Sequence, residues 1–270
     1  MSQARWLVAL DVDGTVLHED GTLTDAVRDA VAVTQAAGHE VTLSTGRSWE
    51  STWQVIEQLG ITPEYVVCAN GALLMQRDAA EPHGYRRAHV ETFDPRPVLD
   101  RIRDHLPEGR FMVEDADGFR LYTDGMLDWN LEKARKVDFE ELSGAPATRV
   151  VVLSPDHDLE DFLTVVERMG LHQVTYSVGW TAWLDIAPEG VNKATALERA
   201  RDALGIPRSQ VLVAGDGRND IDMFEWATAE GRAVAMGQAP DEVQDAASEV
   251  TGSVEDDGLA TALRAFAAGA

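Results

Sequence analysis

The chain has 270 residues, 44% of them hydrophobic, which is enough to bury the core of one large α/β domain or of two domains. Its 47 Asp and Glu residues outnumber its 23 Lys and Arg residues, which gives a formal net charge of −24. Such a surface repels nucleic acids and anionic lipids, so we expect neither nucleic acid nor membrane as a partner. The single cysteine, Cys68, excludes an intrachain disulfide, and no apolar run approaches membrane-spanning length, so we expect a cytoplasmic protein.

The first part of the chain alternates short apolar runs with amphipathic helical stretches. The predicted elements are a strand over 6–10, a helix capped by Thr24 and ended by Gly38, a strand over 41–44, a helix from Ser48 to Gly60 and a strand over 65–69. Strands that alternate with helices pair in parallel through right-handed crossovers, so this order predicts a parallel sheet.

The pattern changes near residue 82, where runs of alternating apolar and polar residues replace the continuous apolar strands. Two successive stretches have the order strand, helix, strand, strand. The first stretch has predicted strands over 85–91, 110–114 and 119–123 and a helix over 97–106. The second has predicted strands over 148–153, 172–178 and 181–186 and a helix over 159–169. The segment that joins them has a predicted helix over 127–137. Period-two alternation indicates antiparallel sheets with one face in contact with water.

The first pattern returns after Pro188. The predicted elements are a helix capped by Asn192, strands over 211–214 and 233–236, and a final helix along which Leu259, Leu263 and Phe266 lie. We therefore predict an α/β fold with two parts. Residues 1–82 and 188–270 form a Rossmann-like parallel-sheet core, and residues 83–187 form an inserted α+β domain.

Two acidic motifs follow predicted strands of the core. In the motif Asp11-Val-Asp13-Gly-Thr15, carboxylates at positions i and i+2 of an extended chain point to the same side. Two carboxylates this close repel each other unless a cation lies between them or one is protonated. The motif G-D-G-R-N-D at 215–220 repeats the order of buried strand, small residue and carboxylate. Either motif by itself is also compatible with an ordinary acidic turn.

Two further motifs place a hydroxyl group and a cation at the ends of elements. Thr45-Gly46-Arg47 follows a strand, and Thr45 could donate to an anion together with backbone N–H groups of the next helix. Lys193 lies in the first helical turn after Asn192, where its charge opposes the helix dipole. This unfavourable placement indicates a purpose other than helix stability, although an ordinary turn or an exposed lysine explains either motif alone.

Three of the four motifs follow the carboxyl ends of predicted parallel strands, where such folds collect ligands in one crevice. Asp11, Asp13 and Asp216 could then share a hard divalent cation, and oxygen-only ligands favour Mg²⁺ over Zn²⁺. Lys193 and Thr45 add positive charge and a hydrogen-bond donor to the same space. The constellation therefore predicts a phosphate site.

The four motifs, in this order, resemble those of the haloacid dehalogenase superfamily of phosphohydrolases. The stretch at 233–247, the pair Asp257-Gly and the triplet Asn70-Gly-Ala resemble the Cof-type subgroup in particular. The inserted segment resembles that subgroup's large cap domain in architecture only. The resemblance implies a Mg²⁺-dependent phosphatase for a small phosphorylated metabolite, such as a sugar phosphate or a phosphorylated cofactor. It also implies a cap that closes over the site and selects the substrate.

The same resemblance implies catalytic roles for four residues. Asp11 would be the nucleophile that forms an aspartyl-phosphate, and Asp13 would protonate the leaving oxygen and later activate water. Thr45 and Lys193 would hold the phosphoryl oxygens and offset charge in the transition state.

Two sets of binding residues follow from the resemblance as well. The residues that would bind the phosphoryl group or the substrate are Thr45, Gly46, Arg47, Lys193 and Asn219. The residues that would surround Mg²⁺ are Asp11, Asp13 through its backbone carbonyl, Asp216 and Asp220. Of these, Asp220 would orient Lys193 or a metal-bound water.

Three alternatives stay open at this level. A phosphomutase or phosphotransferase shares the phospho-aspartate and differs by returning the phosphate to a sugar. Carbon–halogen cleavage would use the nucleophile without an acid for the leaving group, so the presence of Asp13 favours phosphate esters. A non-catalytic ligand-binding protein on the same fold is the third alternative, and no expected catalytic residue is missing from the sequence.

Overall fold

The computed structural model describes residues 4–125, 133–171, 174–178 and 182–269. Within this part, the chain divides into two compact units. The first unit combines the described residues up to Ala88 with those from Asn192 onward, and the second unit is His89–Val191. The sequence predicts the borders of the inserted domain at 83 and 187, so the structural borders lie a few residues later along the chain.

The first unit begins with alternating strands and helices. Its elements up to the border are β1 (Leu7–Leu10), α1 (Asp25–Ala36), β2 (Glu40–Leu43), α2 (Trp49–Leu59), β3 (Tyr65–Cys68), β4 (Leu73–Arg77) and β5 (Tyr85–Val90), the last of which crosses the border. Helix α1 begins after Thr24, whose hydroxyl oxygen accepts a hydrogen bond from the Val27 N–H. Helix α2 ends at Gly60, which is in the left-handed conformation. Local capping chemistry therefore sets these helix ends.

Strand β4 is not predicted from the sequence. This strand pairs antiparallel with β3, because the chain reverses through Ala69–Gly71, where three successive residues have positive φ. The run Leu73–Arg77 lacks the alternation of apolar and polar residues that would mark a half-exposed strand. Pairing with a neighbouring strand, which is a tertiary contact, decides its conformation.

The second unit is a largely antiparallel sheet with two helices. Its elements are α3 (Arg96–His105), β6 (Arg110–Asp115), β7 (Arg120–Tyr122), β8 (Ala134–Lys136), β9 (Ala147–Leu153), α4 (Leu159–Met169), β10 (Val174–Val178) and β11 (Trp183–Pro188). The strand order is β10-β11-β9-β6-β7-β8, with antiparallel pairs except for the parallel pair β7–β8. Ile102 of α3 and Phe162 of α4 share one buried core with Phe111, Val150 and Ile186 of the sheet.

The helix predicted over 127–137 is wrong in its described part. Residues 126–132 lie outside the described residues, and Ala134–Lys136 forms β8, which pairs with Arg120–Tyr122. Alanine, arginine and lysine favour a helix by intrinsic propensity, but pairing with the edge of β7 outweighs that preference. Residues 172, 173 and 181, which belong to predicted strands, also lie outside the described part.

The chain then returns to the first unit. Its remaining elements are α5 (Lys193–Leu204), β12 (Val211–Gly215), α6 (Ile221–Thr228), β13 (Arg232–Ala235), α7 (Asp241–Ala246), β14 (Glu249–Val250) and α8 (Gly258–Gly269). Helices α6 and α7 and strand β14 are absent from the sequence-based prediction. The residues Leu259, Leu263 and Phe266 lie on the buried face of α8. None of the helices in the described part is both long and apolar enough to span a bilayer.

The central sheet joins the two ends of the chain. Its order is β14-β13-β12-β1-β2, and all pairs are parallel. Leu10 lies opposite Ala214 of β12 and opposite Leu43 of β2, so these strands end at nearly the same level. The residues that follow these ends carry three of the four motifs. The predicted α/β class, with a Rossmann-like parallel core and an inserted α+β unit, is confirmed.

Candidate active site

Four charged residues from distant parts of the sequence form a buried cluster in the first unit. The Lys193 ammonium is fully buried and donates hydrogen bonds to Oδ1 of Asp11 and Oδ1 of Asp220, each at 2.6 Å. Carboxylate oxygens of Asp11, Asp216 and Asp220 lie within 4.8 Å of one another. The structure therefore brings the first, third and fourth motifs into one place.

Lys193 reaches this cluster because it occupies the first turn of α5. The Asn192 side chain caps the helix by accepting a hydrogen bond from the Thr195 N–H at 2.9 Å. The amide of Asn192 also donates to Oδ2 of Asp222 at 3.0 Å, which holds the capping side chain in place. The helix dipole opposes a cation at this position, and the two carboxylates bonded to Lys193 offset that cost.

Asp220 holds the loop of the fourth motif as well as the lysine. Its Oδ2 accepts hydrogen bonds from the N–H groups of Asp216 and Gly217, both at 3.0 Å. A Cβ atom on Gly215 would lie 2.3 Å from the same oxygen, so a side chain there would displace Asp220. Since Oδ1 accepts from Lys193, both oxygens of Asp220 have protein donors. These contacts fit the role expected for Asp220, which is to orient Lys193.

The electrostatics of the cluster show how strongly its groups interact. Burial raises the pKa of Asp11 well above its usual value, Lys193 opposes this rise, and Asp220 and Asp216 add to it. Burial, followed by the effect of Asp220, raises the pKa of Asp216 to about 7. Burial alone would lower the pKa of Lys193, but Asp11 and Asp220 raise it, so the ammonium stays charged.

The cluster fits a divalent cation. Three carboxylates against one ammonium leave a net of two negative charges when all four groups are ionised. An ion such as Mg²⁺ would remove this imbalance, and an all-oxygen set of donors suits such a hard ion. Of the three carboxylates, Asp220 is the least available to ligate it, because its Oδ2 already accepts two N–H bonds and its Oδ1 accepts a bond from Lys193.

Asp13 departs from the expectation that it and Asp11 point to the same spot. The chain leaves the extended conformation after Asp11, because the Val12 carbonyl accepts hydrogen bonds from the N–H groups of residues 15–17. The Asp13 carboxylate is 59% exposed and forms two hydrogen bonds with Arg47, at 2.5 and 2.9 Å. It lies outside the carboxylate cluster. The backbone carbonyl is thus the atom of Asp13 that remains as a candidate metal ligand.

Asn70 joins the second motif to the fourth. Thr45 is buried, and its hydroxyl oxygen accepts a hydrogen bond from the Arg47 N–H at 3.1 Å. The side-chain amide of Asn219 donates to Oδ1 of Asn70 at 3.0 Å. A Cβ atom on Gly46 would lie 3.1 Å from the amide of Asn70. Asn70 therefore lies against both loops that are predicted to bind the phosphoryl group.

Asn70 has no role in the site that was predicted from the sequence. The φ angles of Ala69, Asn70 and Gly71 are 48°, 50° and 99°, a region that most residue types avoid. A Cβ atom on Gly71 would lie 2.1 Å from the carbonyl oxygen of Asn192, so this turn also lies against the start of α5. Backbone strain at a turn that contacts three motifs indicates a functional constraint. The Asn-Gly pair after a strand could have indicated this turn from the sequence, because both residue types tolerate left-handed backbone.

The chain is similar over most of its length to known hydrolases. A family model for haloacid dehalogenase-like hydrolases matches residues 8–263. A 5-amino-6-(5-phospho-D-ribitylamino)uracil phosphatase of Bacillus subtilis is 27% identical over 275 residues, which cover 98% of this chain and 99% of that protein. A pyridoxal phosphate phosphatase of Escherichia coli is 28% identical over 274 residues, which cover 94% of this chain and 96% of that protein. A solved haloacid dehalogenase-like hydrolase from Bacillus subtilis has a TM-score of 0.78 at 23% identity, and the match covers 96% of this chain and 98% of that chain.

The family match includes all four motifs and the whole of the second unit. It confirms the family inferred from the motifs, and the two similar proteins support the predicted phosphatase class. The similarity to the solved structure, at 23% identity, shows the fold alone. This chain is therefore a member of the haloacid dehalogenase-like hydrolases, in the Cof-type subgroup.

Proposed function

We propose that this protein is a Mg²⁺-dependent phosphatase that hydrolyses small phosphate monoesters through a phospho-aspartate on Asp11. One observation carries the proposal. The Asp11 carboxylate is buried 2.6 Å from a fully buried ammonium and beside two further carboxylates. A structural ion pair would need one acid for one base, so the additional acids point to a site for a cation.

In the first step, a carboxylate oxygen of Asp11 attacks phosphorus and the bond to the leaving oxygen breaks. Asp13 transfers a proton to that oxygen, so the leaving group departs as an alcohol. In the structure Arg47 donates two hydrogen bonds to the ionised Asp13 carboxylate, so this step requires Asp13 to leave Arg47 and take up a proton first. The product of this step is a mixed anhydride between Asp11 and phosphate.

In the second step, water attacks the phosphorus of this anhydride. Asp13 accepts a proton from the water, and the bond between phosphorus and the Asp11 oxygen breaks. Inorganic phosphate leaves, and Asp11 is restored as a carboxylate. Lys193 remains bonded to Asp11 and Asp220 and supplies a fixed positive charge beside the reacting group.

The phosphoryl group itself would be held by the loops after β2 and β12. The Thr45 hydroxyl, Gly46 and Asn219 lie on these loops, and Asn70 contacts both of them. Asp11, the Asp13 carbonyl and Asp216 would hold Mg²⁺. When bound, the ion offsets the negative charge of the phosphoryl oxygens in the transition state.

The substrate class we propose is a sugar phosphate or a phosphorylated cofactor. The names of the two similar proteins specify small phosphorylated metabolites of this kind. We further propose that the second unit acts as the cap that selects the leaving group. The net charge of −24 argues against nucleic acid as a substrate, and the single cysteine fits a cytoplasmic location.

The metal requirement can be tested with p-nitrophenyl phosphate. We expect phosphate release in the presence of Mg²⁺, its loss after treatment with EDTA, and its recovery when Mg²⁺ is restored. Equal rates before and after metal removal would contradict the proposal.

The substrate class can be tested by assaying the protein on a panel of phosphorylated metabolites. We expect it to release free phosphate, with kcat/KM highest for sugar or cofactor esters. Return of the phosphate to a sugar would instead indicate a phosphomutase or phosphotransferase.

A further inference from the structure

A glutamine outside the four motifs touches two of them. Gln238 follows β13, and although much of its side chain is exposed, both ends of its amide are bonded. Nε2 donates to the carbonyl oxygen of Gly14 at 2.6 Å and to Oδ2 of Asp216 at 3.2 Å. Oε1 accepts from the Val254 N–H at 2.9 Å. One amide therefore ties the first motif, the fourth motif and the C-terminal segment together.

The partners of Gln238 leave its amide a single orientation. The carbonyl of Gly14 can only accept a hydrogen bond, and the N–H of Val254 can only donate one. A flipped amide would place oxygen against oxygen at Gly14 and nitrogen against nitrogen at Val254. The Nε2 atom is therefore the one that faces Asp216.

The Asp216 carboxylate is confined on several sides. A Cβ atom on Gly14 would lie 2.1 Å from its Oδ2, and Gly14 has a φ of +75° that favours glycine. The Thr15 hydroxyl donates to Oδ1 at 3.4 Å, which is a long and weak contact. The bond from Gln238 is thus the shorter of the two side-chain bonds that restrict rotation of this carboxylate.

We propose that Gln238 is a positioning residue that orients Asp216 as a ligand of Mg²⁺. The inference rests on the proposed metal site and extends it to a residue outside the four motifs. Each carboxylate oxygen can accept more than one bond, so the contact with Gln238 leaves Asp216 able to ligate the ion. Hydrogen bonds of this type hold a ligand in the geometry that the metal requires, and their loss weakens metal affinity by about 10- to 100-fold.

The chain provides a matched control on the same loop. Gln244 of α7 donates to the carbonyl oxygens of Gly237 and Ala239, at 3.3 and 2.8 Å, on either side of Gln238. No bond from Gln244 to Gly14 or Asp216 is present in the described part of the chain. The substitution Gln244→Met therefore disturbs the loop, whereas Gln238→Met removes the contact with Asp216.

The test is titration of the full protein with Mg²⁺ alone by calorimetry at pH 8, where Asp216 is largely ionised. We expect Gln238→Met to raise the Kd for Mg²⁺ by about 10- to 100-fold and Gln244→Met to leave it unchanged. Saturating Mg²⁺ should restore most of kcat in Gln238→Met, because the ligand itself is intact. If Gln238→Met does not fold, Gln238→Asn keeps the amide but is too short to span its three partners, and it should weaken Mg²⁺ binding in the same direction.

Two outcomes would overturn the inference separately from the proposed function. The same Kd in the wild type and in the Gln238 variant would show that Asp216 needs no such support. An equal rise in Kd for Gln244→Met would assign the effect to the loop in general. Absence of Mg²⁺ binding by the wild-type protein would overturn the proposed metal site itself and this inference with it.

Discussion

The two units both bury charged side chains, but they balance the charge differently. In the second unit, Arg149 of β9 and Asp185 of β11 form a two-point pair, with Nε–Oδ1 at 3.2 Å and Nη2–Oδ2 at 2.9 Å. One guanidinium meets one carboxylate, so the charges of this pair match. In the first unit, three carboxylates cluster around one ammonium, which donates hydrogen bonds to two of them. A matched pair can hold a sheet together by itself, whereas the unmatched cluster needs protons or a cation to offset its excess charge.

The largest expected difference between the unmatched cluster and the matched pair is the effect of Asp11→Asn on turnover. The amide cannot act as the nucleophile, so turnover should fall by roughly 10⁴-fold or more. The substitution also removes one negative charge from the unmatched cluster, and Lys193 keeps Asp220 as a partner. The free energy of unfolding without metal should therefore stay the same or rise. Single-turnover kinetics together with urea unfolding measure both quantities.

Two results for Asp11→Asn would contradict the contrast between the unmatched cluster and the matched pair. Retained turnover would remove Asp11 from the role of nucleophile. A large loss of stability would show that Asp11 acts as a structural partner of Lys193, in the way that Asp185 acts for Arg149. Far-UV circular dichroism of the variant provides the control for folding.

A substitution in the matched pair should change the free energy of unfolding in the opposite direction. Asp185→Asn leaves the buried Arg149 without its full counter-charge, so the free energy of unfolding should fall by about 3 kcal/mol, the lower end for breaking a buried pair. Both side chains are at most 10% exposed, so water can replace little of the lost interaction. Urea unfolding of this variant beside Asp11→Asn gives the comparison directly. Unchanged stability in Asp185→Asn would mean that the pair does not support the second unit.

The smallest expected effect is the pH dependence of stabilisation by Mg²⁺. Burial raises the pKa of Asp216 to about 7 and raises that of Asp11, so the folded state binds protons more tightly than the unfolded chain. The stability of the metal-free protein should therefore fall as the pH rises from about 4, the value for an unfolded Asp, through 7.

Mg²⁺ competes with these protons for the carboxylates. At roughly one hundred times its Kd the ion should add about 2.7 kcal/mol at pH 8, and it should add little at pH 5. Thermal unfolding with and without Mg²⁺ at both pH values checks this expectation. Equal gains at the two pH values would show that the ion does not bind at the Asp11 and Asp216 carboxylates.

Features that depend on neighbours in the sequence were largely predictable. The start of α1 follows from Thr24 and the end of α2 follows from Gly60, and the capping interactions of both residues lie within one helical turn. The motif residues could be chosen because aspartate, glycine and lysine are unusual choices at the ends of buried strands and at the start of a helix. The order of strands and helices then indicated a parallel sheet with an inserted domain.

Features that depend on distant partners were not predictable in the same way. Strands β4 and β8 owe their conformation to neighbouring strands, and β8 runs against the helix preference of its residues. The direction of the Asp13 carboxylate depends on a turn at Val12 and on Arg47, 34 residues later. No local pattern around these positions carries that information.

The sequence by itself therefore determined the family, the order of elements and the kinds of side chain available for chemistry, because these depend on residue type and short-range spacing. Only the tertiary structure decided which carboxylates meet. Lys193 and Asp11 are 182 residues apart, and Gln238 and Gly14 are 224 residues apart. Contacts across such distances form only when β1 and β12 pair in register, since that pairing brings the loops at their ends to the same edge of the sheet.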